Sequence, residues 1–236
     1  MSSTLLGKVK QDAAKSSAIP PQHPLITSEQ IDDFERDGVV VLRRVFNQEW
    51  IDIMAEGVAQ NMAHPSQYAS ENECEREEGR FFDDYCNWTR LAPFEKVVRE
   101  SPAAALAAQV MQSQIAQFFH DHVLVKEANT SKVTPWHMDS PYYFVEGKQT
   151  VSMWIPLDPV HTSSLRFIAG SHKWERLVRP VSWADDSDFY SKDNKCDGNG
   201  DGNGERHRWM DVPDPDNTVP PMRVLEFPME PGDVGE

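Results

Sequence analysis

Cysteine is scarce in this 236-residue chain: Cys74, Cys86 and Cys196 are its only three. Their odd number and the lack of a CxxC pair exclude a disulfide framework and argue against a zinc knuckle, so reduced, structural thiols are expected. Basic charge is short as well. Lysine and arginine total 23 against 38 aspartates and glutamates, a formal charge of −15. Nucleic acid or an anionic membrane surface needs the opposite field. No apolar run approaches the roughly 20 residues that a membrane helix requires. The opening MSSTLLGKVKQDAAKSSA lacks the continuous apolar stretch of a secretory signal, so an intracellular, cytoplasmic protein without a membrane span is expected. Nor does the chain carry a glycine loop or basic cluster suited to the phosphates of coenzyme A.

What is present changes character halfway along. Residues 1–24, rich in Ser, Ala, Lys and Pro, read as a flexible tail. TSEQIDDFERD, 27–37, has a cap at Thr27 or Ser28, Gln30 or Glu29 in capping-box position, Ile31 and Phe34 on one face, and Gly38 as its stop. VVVLRRVF, 39–46, predicts a strand. Asn47 then caps a helix with Trp50, Ile51, Met54 and Val58 at helical spacing. Residues 65–80 hold almost no apolar side chain and predict a solvated loop or weak helix. A helical period returns from Ala92 to Phe119, with Ser101-Pro102 opening its second part.

After that the period falls from 3.6 to 2. HDHVLVKEA, TPWHMD, QTVSMWIPLD, SSLRFIAGS and MRVLEFPME are short, alternating and separated by Pro, Gly, Asp and Ser, the pattern of an antiparallel sandwich or barrel. Helices followed by strands predict an α+β chain, with one domain over 25–236 built on a jelly roll. A polar insertion at 183–217 interrupts the strands. In it Asp197, Asn199, Asp201 and Gly202 match the opening half of a calcium loop, but Arg208 stands where the closing glutamate belongs. A flexible insertion and a calcium site are the two readings, and the missing carboxylate favours the first.

His137 and Asp139, in TPWHMD, carry the chemistry. Side chains at i and i+2 of a strand project from one face, and an imidazole with a carboxylate suits a divalent iron that keeps positions open for other ligands. The competing reading is an ordinary His–Asp pair.

TPWHMD, TVSMWIPLD, SLRFIAGSHKW and MEPGD, in this order, resemble the phytanoyl-CoA dioxygenase family of iron(II)- and 2-oxoglutarate-dependent oxygenases, over about Leu25 to Val234. The resemblance implies a double-stranded β-helix, a jelly roll of the cupin kind, with His137 and Asp139 as the first two members of a two-histidine, one-carboxylate triad. It implies oxidative chemistry with iron(II), 2-oxoglutarate and O2 on a small organic or lipid-like substrate. Relatives that halogenate replace the carboxylate with a small residue; Asp139 is present, so hydroxylation is expected.

The same resemblance places Lys126, Trp154, Thr134 and Met138 near 2-oxoglutarate. A buried dicarboxylate needs a cation or hydroxyl partner, which supports Lys126; a lysine reaching to solvent is the equal alternative. Trp154 is opposite in phase to Val151, Met153 and Ile155, and either faces the site or packs as a core residue. Tyr142 and Tyr143 follow the metal segment, where substrate contact and plain packing are equally expected. Arg166, on an apolar strand, calls for an acidic partner such as cosubstrate or substrate. His172 is expected to be a structural loop residue.

In that family the second histidine and the arginine that clamps 2-oxoglutarate follow the EPGD turn, where this sequence reads MEPGDVGE. His120, His122, His161 and His172 do not match the distal position. The resulting expectation is a chain lacking its last core strands: a fragment, or an inactive jelly-roll binding protein, with exposed sheet edges through which it self-associates.

Overall fold

The structure, a computed structural model, describes residues 25–72, 79–130, 133–143, 145, 147–162, 164–181 and 209–236. The tail, Cys74, Cys196 and the candidate calcium ligands Asp197, Asn199 and Asp201 lie outside these residues.

Helix α1 (Ser28–Asp37) starts as its sequence dictates: the Thr27 hydroxyl accepts from the Gln30 backbone N–H, and the Gln30 side-chain Oε1 accepts from the Thr27 backbone N–H. Gly38 ends it at φ 79°, a left-handed conformation that glycine adopts without a Cβ penalty. The last carbonyls of α1 find donors in a distant loop. Gly170 N–H donates to Asp37 O (2.7 Å), His172 Nε2 to Glu35 O (3.2 Å) and Lys173 Nζ to Arg36 O (3.4 Å). The GSHK motif is thus a cap supplied from across the sequence, with basic side chains at the negative end of the helix dipole. This is the structural role expected for His172.

VVVLRRVF gives only a short strand, β1 (Val41–Leu42), prolonged by paired hydrogen bonds between Val40 and Glu236. Arg44 breaks it at φ 54°. The EPGD turn causes that break. Asp233, 2% exposed, accepts from Arg44 N–H (2.8 Å), Arg43 Nη1 (2.7 Å) and Glu230 N–H (3.0 Å). Gly232, at φ 96°, offers its carbonyl to Val45 and Phe46. The motif therefore pins the start of the fold to its last described strand, β9 (Val234–Gly235), which pairs antiparallel with β1.

Helix α2 (Gln48–Ala63), capped by Asn47, buries Ile51 and Met54 against Val40, Leu42, Phe46, Leu106 and Val234. At about 25 cal/mol per Å² of apolar surface, this cluster is the main stabilising contribution. The second helical stretch divides into α3 (Ala92–Glu100) and α4 (Ala103–Val110) and stops well before Phe119. Gln112 turns to φ 49° and Ser113 N–H bonds back to Ala108 O, so the apolar residues beyond continue a helical spacing without a helix.

The stretch expected to be loop or weak helix contributes β2 (Ser70–Asn72), which pairs with β3 (Phe81–Tyr85), itself antiparallel to β4 (His122–Lys126). Partners in the ladder overrode a polar local sequence, since strand formation rewards pairing more than intrinsic preference. The sheet has two faces. Phe82 and Val123 pack with Leu91 and Phe94 in a second core cluster; Phe81, Asp83 and Tyr85 stand opposite Lys126, Leu124 and His122 on the other face.

TPWHMD and most of QTVSMWIPLD, expected as regular strands, lie outside any ladder, Asp139 taking a helical φ of −70° and ψ of −46°; Trp154 alone bridges to Gly235. Two-residue alternation survives nonetheless, with Val151, Met153, Ile155 and Leu157 on the main core. Antiparallel β5 (Arg166–Ile168) and β8 (Val224–Glu226), and parallel β6 (Leu177–Val178) and β7 (Trp209–Met210), complete a mixed helix-and-sheet architecture. No described helix is long and apolar enough to cross a membrane.

Candidate active site

The segment 133–139 runs beside the open face of β4. Lys126 Nζ donates to Thr134 Oγ1 (3.0 Å) and lies 4.6 Å from the centre of the Phe81 ring. At the other end of the segment, His122 lies near enough to act electrostatically on Asp139. Burial lowers the pKa of Lys126, because an ammonium loses hydration there.

His137 Nε2 and Asp139 Oδ1 converge at 3.2 Å. The remaining polar atom of each is occupied. His137 Nδ1 lies 2.8 Å from Pro135 O; a carbonyl only accepts, so Nδ1 carries the proton and Nε2 is the atom left for a cation. Asp139 Oδ2 accepts from Ser152 Oγ at 2.7 Å. Burial disfavours charge on both side chains, but their mutual attraction prevails: with Pro135 it raises the pKa of His137, and with Ser152 it lowers that of Asp139. Nε2 and Oδ1 thus face each other across 3.2 Å. A divalent cation between them would take the same two atoms as donors. The donor chemistry therefore fits iron in part. Among the described residues, no third His, Cys, Asp or Glu joins them in a metal-holding cluster.

The four other histidines weighed in the sequence have partners of their own. His161 pairs with Glu230 at 3.5 Å and His172 caps α1. His122 is 3.7 Å from Asp83. His120 lies edge-on to Phe119 and Tyr143, with burial and the nearby His122 lowering its pKa.

A cavity of about 90 Å³ adjoins the pair and brings His137, Met138 and Arg166 together with Trp136 and Trp174. Arg166 lies over the Trp136 ring at 5.3 Å, and its acidic neighbour is Asp216 at 3.4 Å. Met138 Sδ accepts from Val178 N–H. Tyr142 stands edge-on to His137 at 6.0 Å, while its hydroxyl is held by both backbone groups of Val181. Burial, together with the charge of Asp139, pushes the pKa of Tyr143 up to about 12. Trp154 is fixed by backbone bonds to Gly235 and is not joined to the His137–Asp139 pair by any described bond.

Ser152 was missed in the sequence, although it shares the phase of Trp154 and opposes the core residues Val151 and Met153. The open face of β3 and β4 was missed too. There Tyr68 stacks on Tyr85 at 5.4 Å, and Asp83 accepts from Ser70. FFDDY reads poorly as a strand because two adjacent acids interrupt its alternation.

The architecture is similar to that of several solved structures. The epimerase SnoN, solved with Fe3+, alpha ketoglutarate and nogalamycin RO, is similar over 88% of this chain and 72% of its own at 16% identity and TM-score 0.57. AviO1 from Streptomyces viridochromogenes Tue57 is similar over 90% and 84%, at 19% identity and TM-score 0.58. The non-heme alpha ketoglutarate dependent carbocyclase SnoK is similar over 89% and 73%, at 14% identity and TM-score 0.55. At such identities the likeness is one of fold. The sequence matches no curated protein. It does match the phytanoyl-CoA dioxygenase (PhyH) family profile over residues 34–234, and the chain belongs to that family. Iron(II) and 2-oxoglutarate are the cofactor and cosubstrate of these oxidoreductases.

Proposed function

We propose that the chain is an iron(II)- and 2-oxoglutarate-dependent dioxygenase that hydroxylates a small organic or lipid-like substrate, its described residues forming one oxygenase domain on a double-stranded β-helix. The observation that carries this reading is the convergence of His137 Nε2 and Asp139 Oδ1 at 3.2 Å, with the second polar atom of each side chain anchored elsewhere. His137 and Asp139 would hold the iron. With 2-oxoglutarate and O2, that iron supplies the oxidation, leaving succinate, carbon dioxide and a hydroxylated product.

The protein's own work is binding and orientation. Lys126, partly desolvated and paired with Thr134, supplies the positive charge that a carboxylate of 2-oxoglutarate needs away from water. Met138 and Arg166 border the cavity next to His137. Tyr142 and Tyr143 border the substrate side, with Tyr143 adding an apolar edge beside Phe119 and His120. The carboxylate at 139, which halogenating relatives lack, favours hydroxylation.

The test is an anaerobic titration of the purified protein with iron(II) and 2-oxoglutarate, read as the visible charge-transfer band of the chelate. A saturable band that disappears in His137→Ala supports the reading; folded protein that develops no band overturns it.

A further inference from the structure

Asp139 has two carboxylate oxygens in unlike surroundings. Oδ1 faces His137 Nε2 at 3.2 Å, and Oδ2 accepts a 2.7 Å hydrogen bond from Ser152 Oγ. A carboxylate only accepts, so the serine proton is committed to Asp139.

Packing holds the serine in place: Ser152 lies between Val151 and Met153, which are set against the main core, and near Trp154, which is bonded to Gly235. Asp139 itself precedes a single 3-10 turn (Ser140–Tyr142), and Tyr142 N–H bonds back to Asp139 O. Its backbone is fixed, but nothing else described here fixes the rotation of its carboxylate.

We propose that Ser152 is a positioning residue that occupies Oδ2 of Asp139 and restricts it to a single-oxygen metal ligand through Oδ1. This rests on the reading of His137 and Asp139 as metal ligands. A carboxylate with both oxygens available can rotate or bind a cation through both of them, taking up a position that the cosubstrate or oxygen requires. A hydroxyl on one oxygen prevents this and lowers the orientational entropy lost when metal binds. Outer partners of metal ligands act in this way, and their loss typically weakens metal affinity about 10–100-fold.

The experiment is titration of the full chain with manganese(II) alone, a redox-inert stand-in for iron(II), by calorimetry and by loss of the free-ion electron paramagnetic resonance signal. Wild type is compared with Ser152→Ala, Ser152→Thr and His137→Ala, and thermal unfolding is recorded for each. Ser152→Ala is expected to weaken manganese binding at least 10-fold with an unchanged melting temperature. Ser152→Thr, which keeps the hydroxyl, restores binding to within about 3-fold. A merely structural serine would move the melting temperature instead. Wild-type affinity in Ser152→Ala, alongside loss in His137→Ala, overturns the positioning role and leaves the metal site standing. If manganese fails to bind wild type, the metal reading and the positioning role fall together.

Discussion

The imidazole of His172 lies where a β-carbon on Gly38 would be. The two residues are far apart in sequence, yet each is required by the other: the ring reaches Glu35 O to cap α1 only because position 38 has no side chain and a left-handed φ.

Gly38→Ala therefore meets strain and overlap together. It should destabilise the protein by about 2–3 kcal/mol, more than the 0.4–1 kcal/mol gained where alanine is tolerated. Denaturant unfolding of Gly38→Ala, His172→Ala and the double variant checks this. The double variant should lose less than the sum of the two, because removing the ring relieves the overlap.

Asp84 is fully buried and accepts from Asn61 Nδ2 (2.7 Å), Ser66 N–H (2.8 Å) and Ser66 Oγ (2.5 Å). Burial disfavours its charge, but these donors prevail and hold its pKa below the usual carboxylate value. The native state then favours the deprotonated form. The stabilisation is present above the unfolded pKa of about 3.9 and is lost as pH falls through the lower folded value. Asp84→Asn, which turns an amide donor toward other donors, should cost about 3 kcal/mol at pH 7. In urea melts from pH 7 down to pH 2.5, the gap between wild type and variant should narrow below about pH 4.

Asp233 joins Arg43 and Arg44 to the EPGD turn, so Asp233→Ala leaves a partly buried guanidinium and a backbone N–H without their acceptor. A loss of about 2–4 kcal/mol is expected. Hydrogen exchange should localise the loosening to Val40–Phe46 and β9 and leave the β2–β3–β4 sheet protected.

Lys126→Met keeps the stem of the side chain and removes its charge. The dissociation constant for 2-oxoglutarate, followed by the charge-transfer band, should rise about 10-fold or more, in line with roughly 1.5–3 kcal/mol for a hydrogen bond to a charged group. Affinity for manganese(II) alone should stay within about 2-fold, because Lys126 is not one of the metal donors.

Local chemistry was legible in the sequence wherever its cause lay within a few residues. The capping box at Thr27, the glycine stop at 38, the Asn47 cap and the spacing that brings His137 and Asp139 together all depend on near neighbours. So did the ordered motifs that mark the family. Tertiary structure decided what depends on distant partners. A polar stretch became β2 because β3 offered a ladder, and VVVLRRVF broke at Arg44 because Asp233 takes its N–H. GSHKW became the cap of a helix more than 130 residues earlier, where Lys173 and Arg36 are separated by 137 positions. Ser152 has nothing in its own vicinity to mark it. Its tie to Asp139 arises only when core packing of Val151 and Met153 turns the alternate side chain toward the site, since a hydrogen bond between distant residues is fixed by the fold that brings them together.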